Sequence, residues 1–163
     1  MVIMGVAGSG KTTIGEALAG AISATYVDGD QLHPEANIAK MSAGIPLADA
    51  DRWPWLAEVG ETLKPGTTSV IVGCSALKRA YRDFITERAG APVLFIYLDG
   101  SRELITQRMR ERTGHFMPTS LLDSQFATLE VPDKDENAIA VPIDATLDEI
   151  VADITTKFGE RAS

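Results

Sequence analysis

Short apolar runs alternate along the chain with longer stretches in which apolar residues recur at helical spacing. Runs of this kind, apolar on both faces and bounded by turn-forming residues, are typical of strands buried inside a parallel sheet. The predicted strands are Met1–Met4, Thr25–Val27, Ser69–Gly73, Val93–Leu98 and Ala138–Ile143.

The stretches between these runs predict helices. In the Ala-rich segment Lys11–Ile22, the apolar residues Ile14, Leu18 and Ile22 recur every four positions. The other predicted helices run from Pro34 to near Gly44, over Pro54–Leu63, Lys78–Arg88, Ser101–Arg112 with Ser101 as its cap, Thr119–Leu129 and Leu147–Phe158. Strands that alternate with helices predict an α/β fold with a parallel β-sheet flanked by helices on both faces.

Length and composition fit one domain spanning residues 1–163, with net charge −8 and 45% hydrophobic residues. The longest stretch without a charged residue, Pro65–Leu77, is shorter than the ~20 apolar residues of a membrane helix. No secretory signal is recognisable, so we expect a cytoplasmic protein with no membrane partner. A single cysteine, Cys74, excludes an internal disulfide and a Cys-rich zinc site. The acidic balance disfavours a nucleic-acid partner.

A complete phosphate-binding motif, G-x-x-x-x-G-K-[ST], follows the first apolar run at Gly5–Thr12. Glycines let successive backbone N–H groups turn toward phosphate oxygens, and the following helix adds its positive end. Lys11 would reach the terminal phosphates, and the Thr12 hydroxyl would bind Mg²⁺. The residues expected to bind the nucleotide are Gly5, Val6, Ala7, Gly8, Ser9, Gly10, Lys11, Thr12 and Thr13. The alternative is a Gly-rich turn with an incidental lysine, but the motif and the chain length favour a small kinase.

Two carboxylates, Asp28 and Asp30, follow the second apolar run. Ligands of open parallel sheets bind beyond the carboxyl ends of the strands, so both acids are expected near the phosphate loop. Two acids at this spacing would divide the work, one holding the water shell of the metal and the other taking a proton from an attacking hydroxyl, with Asp28 the nearer candidate for the metal. The alternative is an Asp-Gly-Asp turn stabilised by its own side chains. No aspartate lies in Val72–Lys78, so we expect Mg²⁺ to rest on Thr12, phosphate oxygens and water.

Two arginines, Arg108 and Arg112, are four residues apart and would share one helix face. They lie at the start of a predicted mobile lid, residues 108–132, and would stabilise charge on the transferring phosphate. The alternative is a solvated basic helix whose arginines pair with Glu103 and Glu111. Tryptophans and lone histidines are more often packing or hydrogen-bonding residues than catalysts.

Several blocks of the sequence resemble the gluconate kinase family. They are Asp28–Pro34, Asn37-Ile38, Lys40-Met41, Gly44, Pro46-Leu47, Asp49–Leu56, Cys74–Lys78, Tyr81–Asp83, Gly114–Met117, Ser124–Phe126 and Leu129-Glu130. Together with the phosphate loop they extend from Gly5 to about Glu136, which is most of the chain. Several residues precede the first hydrophobic run in that family, whereas only Met1–Met4 precede Gly5 here. We therefore expect either a short first strand, with a lower melting temperature than that of an extended version, or a true start that lies upstream of Met1.

The resemblance implies ATP-dependent phosphorylation of the 6-hydroxyl of D-gluconate, giving 6-phospho-D-gluconate and ADP. It also implies a nucleoside-monophosphate-kinase-like fold with a lid, and usually a homodimer. By position, Lys11, Asp30, Arg108 and Arg112 would be catalytic, and Thr12 and Asp28 would face the metal. The sugar acid would be bound by Asp30, His33, Arg52, Lys78, Arg82 and His115. Another small-metabolite kinase, such as one acting on shikimate, and a non-catalytic ATP-binding module are the alternatives.

Overall fold

The computed structural model describes the backbone of residues 1–113 and 119–162 and the side chains of residues 1–111 and 121–161. The strands are β1 (Val2–Met4), β2 (Thr25–Asp28), β3 (Val70–Gly73), β4 (Phe95–Asp99) and β5 (Ala138–Pro142). The helices are α1 (Lys11–Ile22), α2 (Glu35–Ser42), α3 (Asp49–Thr62), α4 (Arg79–Ala89), α5 (Arg102–Thr113), α6 (Thr119–Thr128) and α7 (Leu147–Ala162). A 3-10 turn, Gly29–Leu32, follows β2 directly.

The five strands form one parallel sheet in the order β2-β3-β1-β4-β5. The central strand β1 pairs with β3 through Val2 and Val72, and with β4 through Ile3 and Ile96. Because all strands are parallel, their carboxyl ends lie along one edge of the sheet. The phosphate loop after β1, the Asp-Gly-Asp turn after β2 and the loop after β3 therefore meet at that edge.

Successive residues of the strands pack into two cores on opposite faces of the sheet. Ile3, Ile71 and Ile96 face one core, which is completed mainly by α1 and α7. Val2 and Val72 face the other core, to which α3 and α4 contribute. Both faces are apolar because both are covered, which confirms the predicted α/β sheet.

The predicted elements agree with the structure except at some boundaries. Helix α1 has the predicted bounds, the Ser101 side chain caps α5 by accepting from the Leu104 N–H at 3.1 Å, and β1 is short. The predicted start of α3 at Pro54 is wrong, because the helix begins at Asp49. The Asp51 carboxylate accepts from the Ala48 N–H at 2.9 Å and so caps the earlier turn.

Two further boundaries shift by a few residues. Pro34 precedes α2 as its cap instead of occupying the first helical position, and α7 continues past Phe158 to Ala162. In the part of the chain that the structure describes, no helix is both long and apolar enough to cross a bilayer.

Candidate active site

The phosphate loop links the short strand β1 to helix α1. Its glycines Gly8 and Gly10 have φ values of 80° and 97°, in the left-handed region that favours glycine. A Cβ atom on Gly8 would lie 2.5 Å from Met109 Cγ, so the loop packs closely against α5. The Ser9 hydroxyl is buried and has no hydrogen-bond partner within the described part of the chain. Such an orphaned polar group inside a loop of inward-turned amides fits a bound anion.

Lys11 is the first residue of α1, and its ammonium lies over the loop. Nζ donates to the carbonyl oxygens of Gly5 at 3.0 Å and Val6 at 3.1 Å. Burial lowers the pKa of Lys11, and the carboxylates of Asp30 and Asp28 oppose that shift. The ammonium is therefore held on the loop by two carbonyl oxygens, and the acidic turn after β2 favours its charged form.

A cavity of about 280 Å³ joins the loop to the acidic turn. Its lining residues are Ala7, Gly8, Gly10, Lys11, Thr12, Asp30, Ser75 and Gln125. We call it the transfer cavity. It places a phosphate-binding loop, an ammonium and a carboxylate around one space, which is the set of groups that phosphoryl transfer needs.

The acidic turn is fixed by close contacts with the sheet and with α3. Asp28 Oδ1 accepts from the Asp30 N–H at 2.9 Å, so this side chain does stabilise its own turn. A Cβ atom on Gly29 would lie 2.3 Å from the carbonyl oxygen of Gly73, and Trp55 Nε1 donates to the Gly29 carbonyl at 2.8 Å. These contacts hold the Asp30 carboxylate at the transfer cavity.

His33 lies just beyond the acidic turn and stacks on Trp55, with ring centroids 4.2 Å apart. Asn37 Nδ2 lies 3.1 Å from His33 Nδ1 and also donates to the Asp51 carbonyl at 2.8 Å. An amide that donates to Nδ1 leaves the ring proton on Nε2. Burial lowers the pKa of His33, so at neutral pH the ring is uncharged and offers an N–H donor.

Arg52 and Lys78 are brought together by Asp49, which sequence analysis had not singled out. Arg52 donates to one carboxylate oxygen of Asp49 at 3.2 Å, and Lys78 lies 3.4 Å from the other. The Tyr81 hydroxyl also donates to Asp49 in a short hydrogen bond. That hydrogen bond lowers the pKa of Asp49, with Lys78 and Arg52 acting in the same direction. The two predicted substrate-binding cations therefore share one anionic partner.

Arg82 is buried and does not line the transfer cavity, so the predicted contact of its side chain with substrate is wrong. Its side chain is 1% exposed and forms a buried ion pair with Glu136, with Nε 2.7 Å from Oε1. The remaining guanidinium nitrogens donate to the carbonyls of Ala76 at 2.8 Å and Glu130 at 2.9 Å. With its donors engaged inside the protein, Arg82 holds the loop after β3 instead of binding a ligand.

Arg108 lines a second cavity, of about 270 Å³, on the α7 side of the loop. The apolar lining of this cavity comes mainly from Ile14, Met109, Leu147 and Ile150. We call it the apolar cavity. His115 and the side chain of Arg112, both predicted site residues, lie outside the described residues.

Besides Asp49, three residues near the site were missed by sequence analysis: Gln125, Ser75 and Tyr26. Gln125 and Ser75 line the transfer cavity, and Tyr26 packs closely against Gly15 of α1 and Gly73 of β3. Gln125 and Ser75 stand in blocks that carried the family resemblance, which was the available signal. Nothing in the local pattern marked Tyr26.

The transfer cavity offers few protein ligands for a divalent cation. Across the described ranges, no three His, Cys, Asp or Glu side chains cluster so that they could hold a metal. The Thr12 hydroxyl and the Asp28 carboxylate are hard oxygen donors at this edge of the sheet. They suit an ion that keeps phosphate oxygens and water as its other ligands.

Known proteins share both the sequence and the fold of this chain. A family described as AAA domain matches residues 1–132. The thermosensitive gluconokinase of Escherichia coli (strain K12) is 50% identical over 159 residues, covering 94% of this chain and 82% of that protein. The gluconokinase of Gluconobacter oxydans (strain 621H) is 44% identical over 162 residues, covering 97% and 90%. A crystal structure of a gluconokinase from Sinorhizobium meliloti 1021 has a TM-score of 0.86 at 46% identity, covering 99% and 96%.

Proposed function

Because the chain belongs to the gluconokinase family, we propose that it transfers the terminal phosphoryl group of ATP to the 6-hydroxyl of D-gluconate, giving 6-phospho-D-gluconate and ADP. The observation that carries this proposal is the transfer cavity, where the phosphate loop, Lys11 and Asp30 meet. A terminal phosphate bound by the loop would lie beside a carboxylate that can accept a proton.

The nucleotide would span the two cavities. Its phosphates would bind the loop amides, the amino end of α1 and Lys11. The adenine ring would enter the apolar cavity between Met109 and Leu147, because a flat aromatic base suits apolar walls. Arg108, which lines the same cavity, would contact the phosphates from the α5 side.

A magnesium ion would be held by Thr12, with Asp28 as the nearest carboxylate. It would supply positive charge to the phosphate oxygens, and its other ligands would be those oxygens and water. The oxygen donors at this edge of the sheet fit the ion.

Asp30 would orient the acceptor hydroxyl and take its proton. As the bond from O6 to the γ-phosphorus forms, the bond from that phosphorus to the β–γ bridging oxygen breaks, and ADP leaves with the electron pair. Lys11 would stabilise the charge that develops on the phosphate oxygens. The hydrogen bonds that Asp28 and Trp55 make to this turn would hold Asp30 in place during this step.

The sugar acid would extend from Asp30 toward Arg52 and Lys78. Its carboxylate would compete with Asp49 for these cations, and Arg52 can make the planar two-point contact that a lysine cannot. The Nε2–H of His33 would donate to a sugar hydroxyl. His115 belongs to the same proposed pocket.

In the predicted lid, residues 108–132, the part that carries Arg108 and Arg112 would close over the phosphates. Closure excludes water, which would otherwise accept the phosphoryl group. We also propose a homodimer that works in the cytoplasm, an assignment that rests on the family resemblance.

Release of ADP from ATP, measured with and without D-gluconate, tests the proposal. We expect release that requires gluconate and Mg²⁺, and a phosphorus NMR signal for a phosphate ester on C6. Lys11→Ala should abolish turnover, and Asp30→Asn should lower kcat more than KM. Faster release with shikimate or a nucleoside monophosphate would support a different small-metabolite kinase. ATP binding without gluconate-dependent release would indicate a non-catalytic module, and either result would overturn the proposal.

A further inference from the structure

A long-range contact connects helix α6 to the phosphate loop. The Gln125 side-chain carbonyl accepts from the backbone N–H of Ala7, with an N–O distance of 2.6 Å, across 118 residues of sequence. Both residues line the transfer cavity together with Lys11, Thr12 and Asp30. A glutamine from a distant helix therefore lies where the terminal phosphate and the acceptor would meet.

The Ala7 contact fixes which end of the Gln125 amide faces the cavity. A backbone N–H can only donate, so the side-chain oxygen must face Ala7 and the NH2 group must face away. In the described part of the chain, no hydrogen-bond partner takes up that NH2 group. Gln125 thus presents two unused N–H donors beside a loop built to bind phosphate.

Contacts before and after Gln125 fix the position of α6. Leu122, one turn earlier, is 5% exposed and packs into the same core as Ile14. Just after α6, the Glu130 N–H donates to the Leu77 carbonyl at 2.8 Å, and the Glu130 carbonyl accepts a hydrogen bond from the buried Arg82 guanidinium. These contacts tie the helix to the sheet edge and keep the amide aimed at the loop.

We propose that Gln125 binds the terminal phosphate of ATP through its side-chain NH2 group while its carbonyl stays on Ala7. This inference rests on the proposed function, because it takes ATP as the donor. A neutral N–H donor held in place strengthens its bond as charge develops on the phosphate oxygens. ADP has no phosphate at that position, so Gln125 makes the site distinguish ATP from ADP and links α6 to the state of the nucleotide.

Two variants separate phosphate binding from a structural bond to the loop. Gln125→Glu keeps an oxygen that accepts from Ala7 but replaces the NH2 donors with a negative charge. Gln125→Met keeps the length of the side chain and removes both functions. Ala127→Ser, on the exposed side of the same helix, is the matched control.

The readout is the ratio of dissociation constants for a non-hydrolysable ATP analogue and for ADP, measured by calorimetry without gluconate. A hydrogen bond to a charged group corresponds to about a 10- to 100-fold change in affinity. We expect Gln125→Met to weaken the ATP analogue by about that factor, and Gln125→Glu to weaken it further, while ADP changes by about twofold or less. Ala127→Ser should leave both constants unchanged.

Equal weakening of both nucleotides would show that Gln125 only stabilises the loop and would overturn the inference, as would unchanged binding in both variants. Thermal melting checks that each variant is folded. Gln125→Glu keeps the bond to Ala7 and Gln125→Met loses it, so either variant alone, if folded, tests the inference. Gluconate-dependent ADP release by the unaltered protein is measured separately. The proposed function can therefore fail in that assay while the nucleotide ratio still supports Gln125.

Discussion

Replacing Arg82 by methionine tests whether its buried ion pair holds the loop after β3. The guanidinium contacts Glu136 and two backbone carbonyls, those of Ala76 and Glu130. Ala76 has a φ of 44°, which is unusual for a residue with a side chain. Methionine fills much of the same volume but can satisfy none of these acceptors.

The expected loss of stability follows from what the substitution leaves behind. The Glu136 side chain is 7% exposed, so without Arg82 it becomes a buried charge that has lost its ion-pair partner. Removing one member of a buried ion pair costs about 3–5 kcal/mol of unfolding free energy. For a domain of this size each kcal/mol lowers the melting temperature by about 2–4 °C, so we expect a fall of roughly 6–20 °C.

Thermal melting followed by circular dichroism measures this loss, and Arg79→Met is the matched control. Arg79 forms an ion pair with Asp135 in which both side chains are well exposed, at 42% and 66%. Exposed pairs contribute about 0–1 kcal/mol, so this control should melt within about 4 °C of the unaltered protein. Adding Glu136→Gln to Arg82→Met should recover part of the stability. A single Arg82→Met variant that melts no lower than the control would refute the argument.

Three further predictions concern other buried groups. The hydrogen bond from Arg82 lowers the pKa of Glu136 in the folded protein. The contribution of Glu136 to the free energy of unfolding is therefore complete above the ordinary glutamate pKa of about 4.3 and is lost as pH falls through the lower folded value. Glu136→Gln should remove this pH dependence from the free energy of unfolding measured by urea denaturation. Burial raises the pKa of Cys74 to about 12, so a thiol reagent at pH 8 should modify it only in denaturant, and rapid modification of folded protein would contradict its burial. Gly29→Ala places a Cβ 2.3 Å from a carbonyl oxygen of the neighbouring strand and should lower kcat about 100-fold, whereas Gly20→Ala, with open space around it, should leave kcat unchanged.

Local patterns were sufficient to predict most of the fold. The four-residue spacing of Ile14, Leu18 and Ile22 marks α1 because one helix face packs into the core. The start of α3 was missed because its capping residue, Ala48, has no polar side chain. The signal lay three residues later, in Asp51, whose carboxylate returns to the Ala48 N–H. Pro54 attracted the prediction because proline is common at helix starts.

The sequence was sufficient to predict site residues whose roles depend on neighbours along the chain. It was not sufficient for residues whose roles depend on partners far away in sequence. The phosphate loop was predicted because its backbone geometry is encoded within eight consecutive residues. Arg82 was misassigned because its partner, Glu136, lies 54 residues away, and a free arginine and a buried one look alike in sequence. The contact of Gln125 with Ala7 exists only once α6 has packed beside the loop.

The pairing of β1 has a consequence for how the protein is made. Its residues Val2, Ile3 and Met4 are fully buried, yet their neighbours in the sheet come from residues 70–73 and 95–99. During synthesis, β1 leaves the ribosome before β3 and β4, so its apolar side chains stay uncovered until both of these strands have followed. Nonlocal parallel pairing of this kind is slow and exposes the chain to aggregation. The nascent protein should therefore acquire its nucleotide site late, and chaperones that shield β1 should raise the yield of active enzyme.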